Sequence, residues 1–341
     1  MRKYIILPAL LIIVVILFIW VYPNKEYQYQ KIAGETQGTT YHITYQYKAD
    51  SNLKPAIDSL LHKFDMSLST YIPQSIISRI NQNDTSVRTD YFFRTVFRES
   101  RRIHDNSNGL FDITVAPLVN MYGFGFAPGP PIDSADVDSL LQYVGMEKVH
   151  LKGNKVIKSN PSVMLDVNAI AQGYSVDVVC DFLEKLDIKN YLVEIGGEVR
   201  GKGVNAKGED WRVGVDKPID GNMIAGADLQ AIIAIRNNAL ATSGNYRKFR
   251  IIKGVKYAHE INPKTGYPAL SRLLSATVMT DKCMTADGYA TALMVMGLDK
   301  SIDFLKHQHE IDALLIYSDT TGRFREYVTP GMKSEVLEEI N

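Results

Sequence analysis

The chain has 341 residues, 45% of them hydrophobic and 22% charged, an ordinary globular composition. Its 38 Lys and Arg balance 38 Asp and Glu. That neutrality excludes a basic nucleic-acid stripe or an acidic solvating tail as the organising feature, and no nucleic-acid partner is expected.

The N-terminus departs from this average. Met1-Arg2-Lys3 leads into Tyr4–Tyr22, 19 residues without a charge, closed by Pro23, Asn24 and Lys25. A helix of that length spans about one bilayer core. A cleaved leader would be shorter and would end in small residues. Here Phe18-Ile19-Trp20-Val21-Tyr22 is bulky, and Trp20 and Tyr22 suit an interfacial belt. Arg2 and Lys3 keep the N-terminus cytoplasmic. The expectation is an uncleaved, single-pass anchor over residues 1–25, with one domain over 30–335 outside the cytoplasm. No cysteine lies near the segment to take a lipid.

Downstream, Tyr27–Tyr47 alternates like strand, with Gln37-Gly38-Thr39-Thr40 as a flexible interruption. Asn52–Met66 reads as a helix burying Leu53, Ile57, Leu60, Leu61 and Phe64. Ser67-Leu68-Ser69-Thr70-Tyr71 reads as a polar loop whose terminal Tyr71 is a ligand lid or a core plug. A helix over 90–105, capped by Thr89 or Asp90, ends at Asn106-Ser107-Asn108-Gly109. The Gly/Pro-rich stretch 122–131 is a surface excursion or flap. Then come a short helix over 134–143 and a hairpin over 148–158.

Val163-Met164-Leu165 reads as a buried strand, Asp166 sits at its edge, and helical periodicity follows through Val176, Val179, Leu183 and Leu186. Asp166 or Asn168 either caps this helix or faces an anion at its free N–H groups. A strand over 191–195 ends in Gly196-Gly197, which permits close ligand approach or a bulge. Strands follow over 211–215, 230–235, 273–279, 314–317 and 324–328. Ala241–Tyr246 lies between strands, Asn262–Pro268 is a turn, and helices cover 285–296 and 300–307. This mixture has no regular βαβ beat, so the fold class is α+β with mostly antiparallel sheets and packed helices in one domain.

Chemistry-bearing candidates are few. Asp287 and Thr291, four apart, share a helix face and offer two hard oxygen ligands of the kind Mg2+ takes; capping and back-bonding would explain the same pair. His259 alone among the seven histidines stands in a Gly/Pro-framed loop, as a general base or as a structural residue. Cys180 and Cys283 are the only cysteines. An oxidising compartment would let them pair, while their apolar settings favour single buried thiols. Nucleophile-elbow, P-loop and dinucleotide fingerprints are absent.

Taken in order, several short stretches resemble the ApbE family of FAD:protein FMN transferases. They are Gly38-Thr39-Thr40-Tyr41, Leu68-Ser69-Thr70-Tyr71, Gly109–Thr114, Leu165–Tyr174, Glu194–Glu198, Thr242-Ser243-Gly244, Asn262–Gly266 and Ala286-Asp287 with Ala290-Thr291-Ala292. The resemblance runs from about residue 34 to residue 330. It implies a T-fold-like domain that uses FAD and Mg2+ and moves FMN to a threonine of a partner protein, releasing AMP. It places Tyr71 against the flavin, Gln37, Leu110, Phe111 and Asp112 along the FAD site, and Asp166 on the cofactor. It places Gln172 near the cofactor, where the family usually has lysine, and Gln37 where methionine is common. It makes the Ala169 carbonyl, Asp287 and Thr291 metal ligands, His259 the base, and Glu260 and Ile261 neighbours of FAD. Acceptors would be extracytoplasmic subunits of redox complexes, met at the periplasmic face of a bacterial inner membrane. Asp287-Gly288-Tyr289-Ala290-Thr291 superficially resembles an acceptor motif, but the metal reading uses its threonine. FAD hydrolysis and non-catalytic flavin binding are the competing readings.

Overall fold

The computed structural model describes residues 27–126, 134–219, 222, 226–246, 249–252 and 255–340. The expected anchor and residues 127–131 of the Gly/Pro-rich stretch lie outside them. Among the described residues no helix is long and apolar enough to cross a membrane.

In chain order the elements are β1 (Tyr27–Thr36), β2 (Thr39–Lys48), α1 (Lys54–Leu68), α2 (Ile76–Asn81), α3 (Tyr91–Asn106), α4 (Ala116–Met121), α5 (Ser134–Leu141), β3 (Val149–Lys152), β4 (Lys155–Lys158) and α6 (Asn168–Lys185). There follow β5 (Tyr191–Ile195), β6 (Glu198–Lys202), β7 (Trp211–Asp216), β8 (Leu229–Ile235), β9 (Ala239–Gly244), β10 (Phe249–Ile252), β11 (Val255–Ala258) and β12 (Leu273–Thr280). The chain continues through α7 (Cys283–Met296), α8 (Leu298–His307), β13 (Asp312–Ser318), β14 (Phe324–Val328), α9 (Pro330–Glu335) and β15 (Val336–Glu339).

An eight-stranded sheet, ordered β1-β2-β5-β6-β9-β12-β13-β14, is antiparallel throughout. The expected mostly antiparallel α+β architecture is what is found. The alternation of β2 explains its seat: Tyr41, Ile43 and Tyr45 are buried, whereas Thr40 and His42 are exposed. The buried set packs on Ile57 and Leu61 of α1 and on Val176, Val179 and Leu183 of α6. Each such apolar side chain contributes roughly 1.5–3 kcal/mol on burial. The opposite face of the sheet, through Leu240, Met279, Leu314 and Ile316, meets the three-stranded sheet β15-β8-β7.

Two helices are buried nearly all round. In α6, 11 of 18 residues are buried, and in α7, 11 of 14. Small residues let their backbones approach. A Cβ on Gly173 would lie 2.4 Å from the Cys283 carbonyl oxygen and 2.7 Å from the Asp287 Cβ.

Several expectations change. Residues 163–165 form no strand; Met164 makes one parallel bridge to Val115, and the Asn81 side chain binds the Leu165 N–H and C=O at 2.8 Å each. One side chain thus does what a neighbouring strand would do. Ser67 and Leu68 belong to α1, so the polar loop starts at Ser69. Ala241–Gly244 is part of central strand β9. Gly196 and Gly197, with φ 62° and 110°, form the two-residue turn of the β5–β6 hairpin and not a bulge. Elements not expected from the sequence are α2, α4, β6, β11, α9 and β15, all six residues or shorter.

Candidate active site

The start of α6 is the centre of the site. The Asp166 N–H donates to the Ile113 carbonyl at 2.8 Å, which fixes the 110–114 segment beside it. Asp166 Oδ1 accepts the Asn168 N–H at 2.8 Å, but the N-cap position is taken by Val167, without a side-chain cap hydrogen bond, and not by Asp166 or Asn168 as expected. Two hairpin tips lie against the next turn. Gln37, at φ 53°, and Gly38, at φ 72°, close β1–β2. A left-handed glutamine is costly for an L-residue, and here its Oε1 lies 3.5 Å from the Ser175 hydroxyl of α6. Gln172 Nε2 donates to the Ile195 carbonyl at 3.1 Å. A Cβ on Gly196 would lie 1.7 Å from that nitrogen, so glycine is required there for close approach as well as for its φ.

From α7, Asp287 reaches α6 and Thr291 reaches β9. Asp287 Oδ2 accepts the Gly173 N–H at 2.9 Å. Burial pushes the Asp287 carboxyl up to about 7, against that single backbone hydrogen bond. Thr291 Oγ1 lies 3.2 Å from the Ser243 hydroxyl of β9. In a regular helix the Gly173 N–H bonds the carbonyl four residues back, which is that of Ala169. A carboxylate, a hydroxyl and a carbonyl form a hard-oxygen set. The buried carboxylate, destabilised as an anion, is what a cation would relieve. No group of three or more His, Cys, Asp or Glu able to hold a metal exists among the described residues. One carboxylate fits Mg2+, which keeps water and substrate phosphates in its shell, better than it fits zinc.

The rim carries the remaining candidates. Tyr71 is 64% exposed, which removes the plug reading. Partial burial, and then the nearby Asp166 charge, raise its phenol above the usual tyrosine range, so ring and carboxylate are electrostatic neighbours. Phe111 is 2% exposed and belongs to the main core, and Ile261 is 5% exposed in a smaller cluster with Leu118 and Tyr122. These two can offer a ligand mainly backbone. Leu110 is partly exposed. Asp112 is buried, and burial raises its carboxyl even though Thr114 Oγ1 at 2.6 Å, the Thr114 N–H at 2.7 Å and the Met146 N–H at 3.1 Å donate to it.

His259 stands at the end of β11, its ring edge-on to Phe124 with centroids 6.3 Å apart. Its Nδ1 lies 3.4 Å from Oε1 of Glu260, whose side chain is 3% exposed and has no hydrogen-bond partner among the described residues. The loop after it folds back on itself, Ile261 bridging Pro268. It leans on the 104–112 segment, where Lys264 Cε would lie 3.4 Å from a Cβ on Gly109. A cleft of about 480 Å3 opens between these segments, lined by His104, Asn108, Asp112, Glu147 and Lys264 among others.

Residues outside the expected set also hold the site. Asn81 clamps Leu165, Ser243 meets Thr291, and Asp177 of α6 accepts the Cys283 and Met284 N–H groups at 3.1 and 2.9 Å. The signal for Asp177 was present: a carboxylate beside the buried stripe of a helix needs a partner. Both cysteines are buried and free, as single thiols.

The chain is similar to known proteins over most of its length. The ApbE family model matches residues 37–315. The FAD:protein FMN transferase of Vibrio cholerae serotype O1 is 39% identical over 312 residues, covering 89% of this chain and 91% of the relative. That of Haemophilus influenzae is 36% identical over 315 residues, covering 87% and 89%. The solved structure of the flavin transferase ApbE from Vibrio cholerae superposes with a TM-score of 0.81 at 36% identity, covering 91% of this chain and all of that one.

Proposed function

The chain belongs to the ApbE family, and on that footing we propose that it moves the FMN half of FAD onto a threonine hydroxyl of a partner protein, releasing AMP. The observation that supports the reading is the buried Asp287 carboxylate, raised by burial and held against α6 by the single Gly173 N–H, with Thr291 one turn further along the same helix. In the reaction the threonine oxygen bonds to the FMN-side phosphorus, and the bond from that phosphorus to the AMP oxygen breaks. A threonine hydroxyl is a weak nucleophile and needs a base within hydrogen-bond reach. His259 takes its proton. Magnesium, held by Asp287, Thr291 and the Ala169 carbonyl, would neutralise pyrophosphate charge. Tyr71 covers the flavin ring. Gln37, Leu110, Phe111, Asp112, Asp166, Gln172, Glu260 and Ile261 surround the cofactor, with Asp166 hydrogen-bonding it.

We also propose that residues 1–25 anchor the chain in the inner membrane of a bacterium, with the domain in the periplasm. There it would meet acceptor subunits of redox complexes. The test is incubation with FAD, Mg2+ and a candidate acceptor, scored by in-gel flavin fluorescence and by AMP. A fluorescent acceptor band that His259→Ala abolishes is expected. AMP without a band would mean FAD hydrolysis, and neither product would mean flavin binding alone. Loss of the anchor reading would follow if the full chain fractionated away from membranes.

A further inference from the structure

Helices α6 and α7 are joined by two polar rungs one helical turn apart. On the first, the Gly173 N–H of α6 donates to Asp287 Oδ2 of α7 at 2.9 Å. On the second the direction reverses: Asp177 of α6 accepts the Cys283 N–H at 3.1 Å through Oδ1 and the Met284 N–H at 2.9 Å through Oδ2. Residues 173 and 177 are four apart, as are 283 and 287, so the rungs run antiparallel along the two helices. The α7 start has no capping side chain of its own; Lys282 stands at the N-cap in extended conformation. Asp177 therefore supplies from a neighbouring helix what a local cap ordinarily supplies. It is buried, and Arg200 Nη1 of β6 lies 3.0 Å from Oδ1, with the arginine side chain only 11% exposed.

We propose that Asp177 is a positioning residue for the cation site. It fixes the axial register and rotation of α7 against α6, so that Asp287 and Thr291 face the Ala169 carbonyl. This rests on the flavin-transfer reading given above. Asp177, on the helix that also presents Ala169, uses both oxygens on two successive N–H groups of α7, one turn before Asp287. With both rungs made, a displacement of α7 along its axis breaks three hydrogen bonds at once. With the lower rung gone, Asp287 is left to a single N–H.

The test separates metal positioning from general stability. Mg2+ is titrated into the full chain without FAD, and the rise in thermal midpoint is followed as a binding curve; AMP release is then measured against Mg2+ concentration. For Asp177→Asn the Mg2+ concentration at half-effect should rise about 10-fold or more in both assays, as for other residues that support metal ligands. Turnover at saturating Mg2+ should stay within about 3-fold of wild type. Tyr289→Phe is the control. It lies on the same helix and loses the 2.5 Å bond to Glu310 and the 2.8 Å bond from Asn106. It should lower the thermal midpoint without moving the Mg2+ curve. If Asp177→Asn does not fold, Asp177→Glu keeps the charge opposite Arg200 but moves the carboxylate off the Cys283 and Met284 N–H groups, and its Mg2+ curve should move the same way. An unchanged Mg2+ curve in the variant that folds overturns the proposal. A wild-type chain that shows no Mg2+ response overturns the cation site itself, which is a different failure.

Discussion

Gly173→Ala tests the closest backbone approach in the site. The added methyl would sit 2.4 Å from the Cys283 carbonyl oxygen and 2.7 Å from the Asp287 Cβ. The first neighbour is helix backbone and cannot rotate away. Ordinary contact is about 3.5 Å, so α6 and α7 must part by about 1 Å. Overpacking of this kind costs about 1–3 kcal/mol, or roughly 2–5 °C in Tm for a domain of this size. The catalytic effect should be larger than the stability effect. The same separation lengthens the Gly173 N–H bond to Asp287 and moves Asp287 and Thr291 from Ala169, and misplacement by 1 Å lowers rates by about 100-fold. Thermal unfolding and AMP release under saturating Mg2+ and FAD measure the two effects. A variant with wild-type Tm and wild-type turnover would refute the rigid helix pair on which the reasoning depends.

Asn81→Ala removes both hydrogen bonds to the Leu165 backbone and leaves buried groups unpaired; a loss of about 2–4 kcal/mol is expected by denaturant unfolding, and a loss under 0.5 kcal/mol would show that Leu165 is held otherwise. Tyr71→Ala should leave stability within about 0.5 kcal/mol, because the ring is exposed, yet weaken FAD binding by roughly 3–10-fold in a fluorescence titration, from the loss of one aromatic contact. Equal FAD affinity would remove Tyr71 from the site. Hydrogen bonds from Ser86 and then Arg79 hold Asp84 at about 2, and hydrogen bonds led by that from Thr321 hold Asp319 at about 2. A depressed carboxyl contributes stability above its unfolded value near 3.8 and loses it as pH falls towards 2. The double variant Asp84→Asn/Asp319→Asn should therefore show a shallower stability loss between pH 4 and pH 2, and an unchanged acid limb would contradict the assignment.

Long periodic elements were legible because burial alone specifies them. The α3 stripe Phe93, Val96, Phe97 and Ile103 follows helical spacing, and Asp90 caps it by accepting the Phe93 N–H at 2.9 Å. The Val163–Leu165 run was misread for the converse reason. Its apolar residues are buried as in a strand, but its backbone partner is a distant side chain, which no local pattern reveals. Site residues were legible through family resemblance more than through chemistry. Asp287 and Thr291 at i and i+4 look like any capped helix until Gly173 and Ser243 stand opposite them. Asp177 and Asn81 were missed because each acts across 84 residues or more. Tyr71 was ambiguous because a loop aromatic turns inward or outward according to the space beneath it, and that space is set by α1 continuing through Leu68.

The rung between Asp177 and Cys283 joins residues 106 apart in the chain, and β2 finds its partner β5 across a comparable gap, with Tyr41 opposite Ile195. Contacts of such long range form late and slow the search for the native state. A polypeptide that emerges N-terminus first holds the Asp166 end of the site well before it holds the Asp287 end. The two halves meet only after residue 291 is available. A site that draws on both α6 and α7 is therefore complete only once the central strands of the eight-stranded sheet have been made.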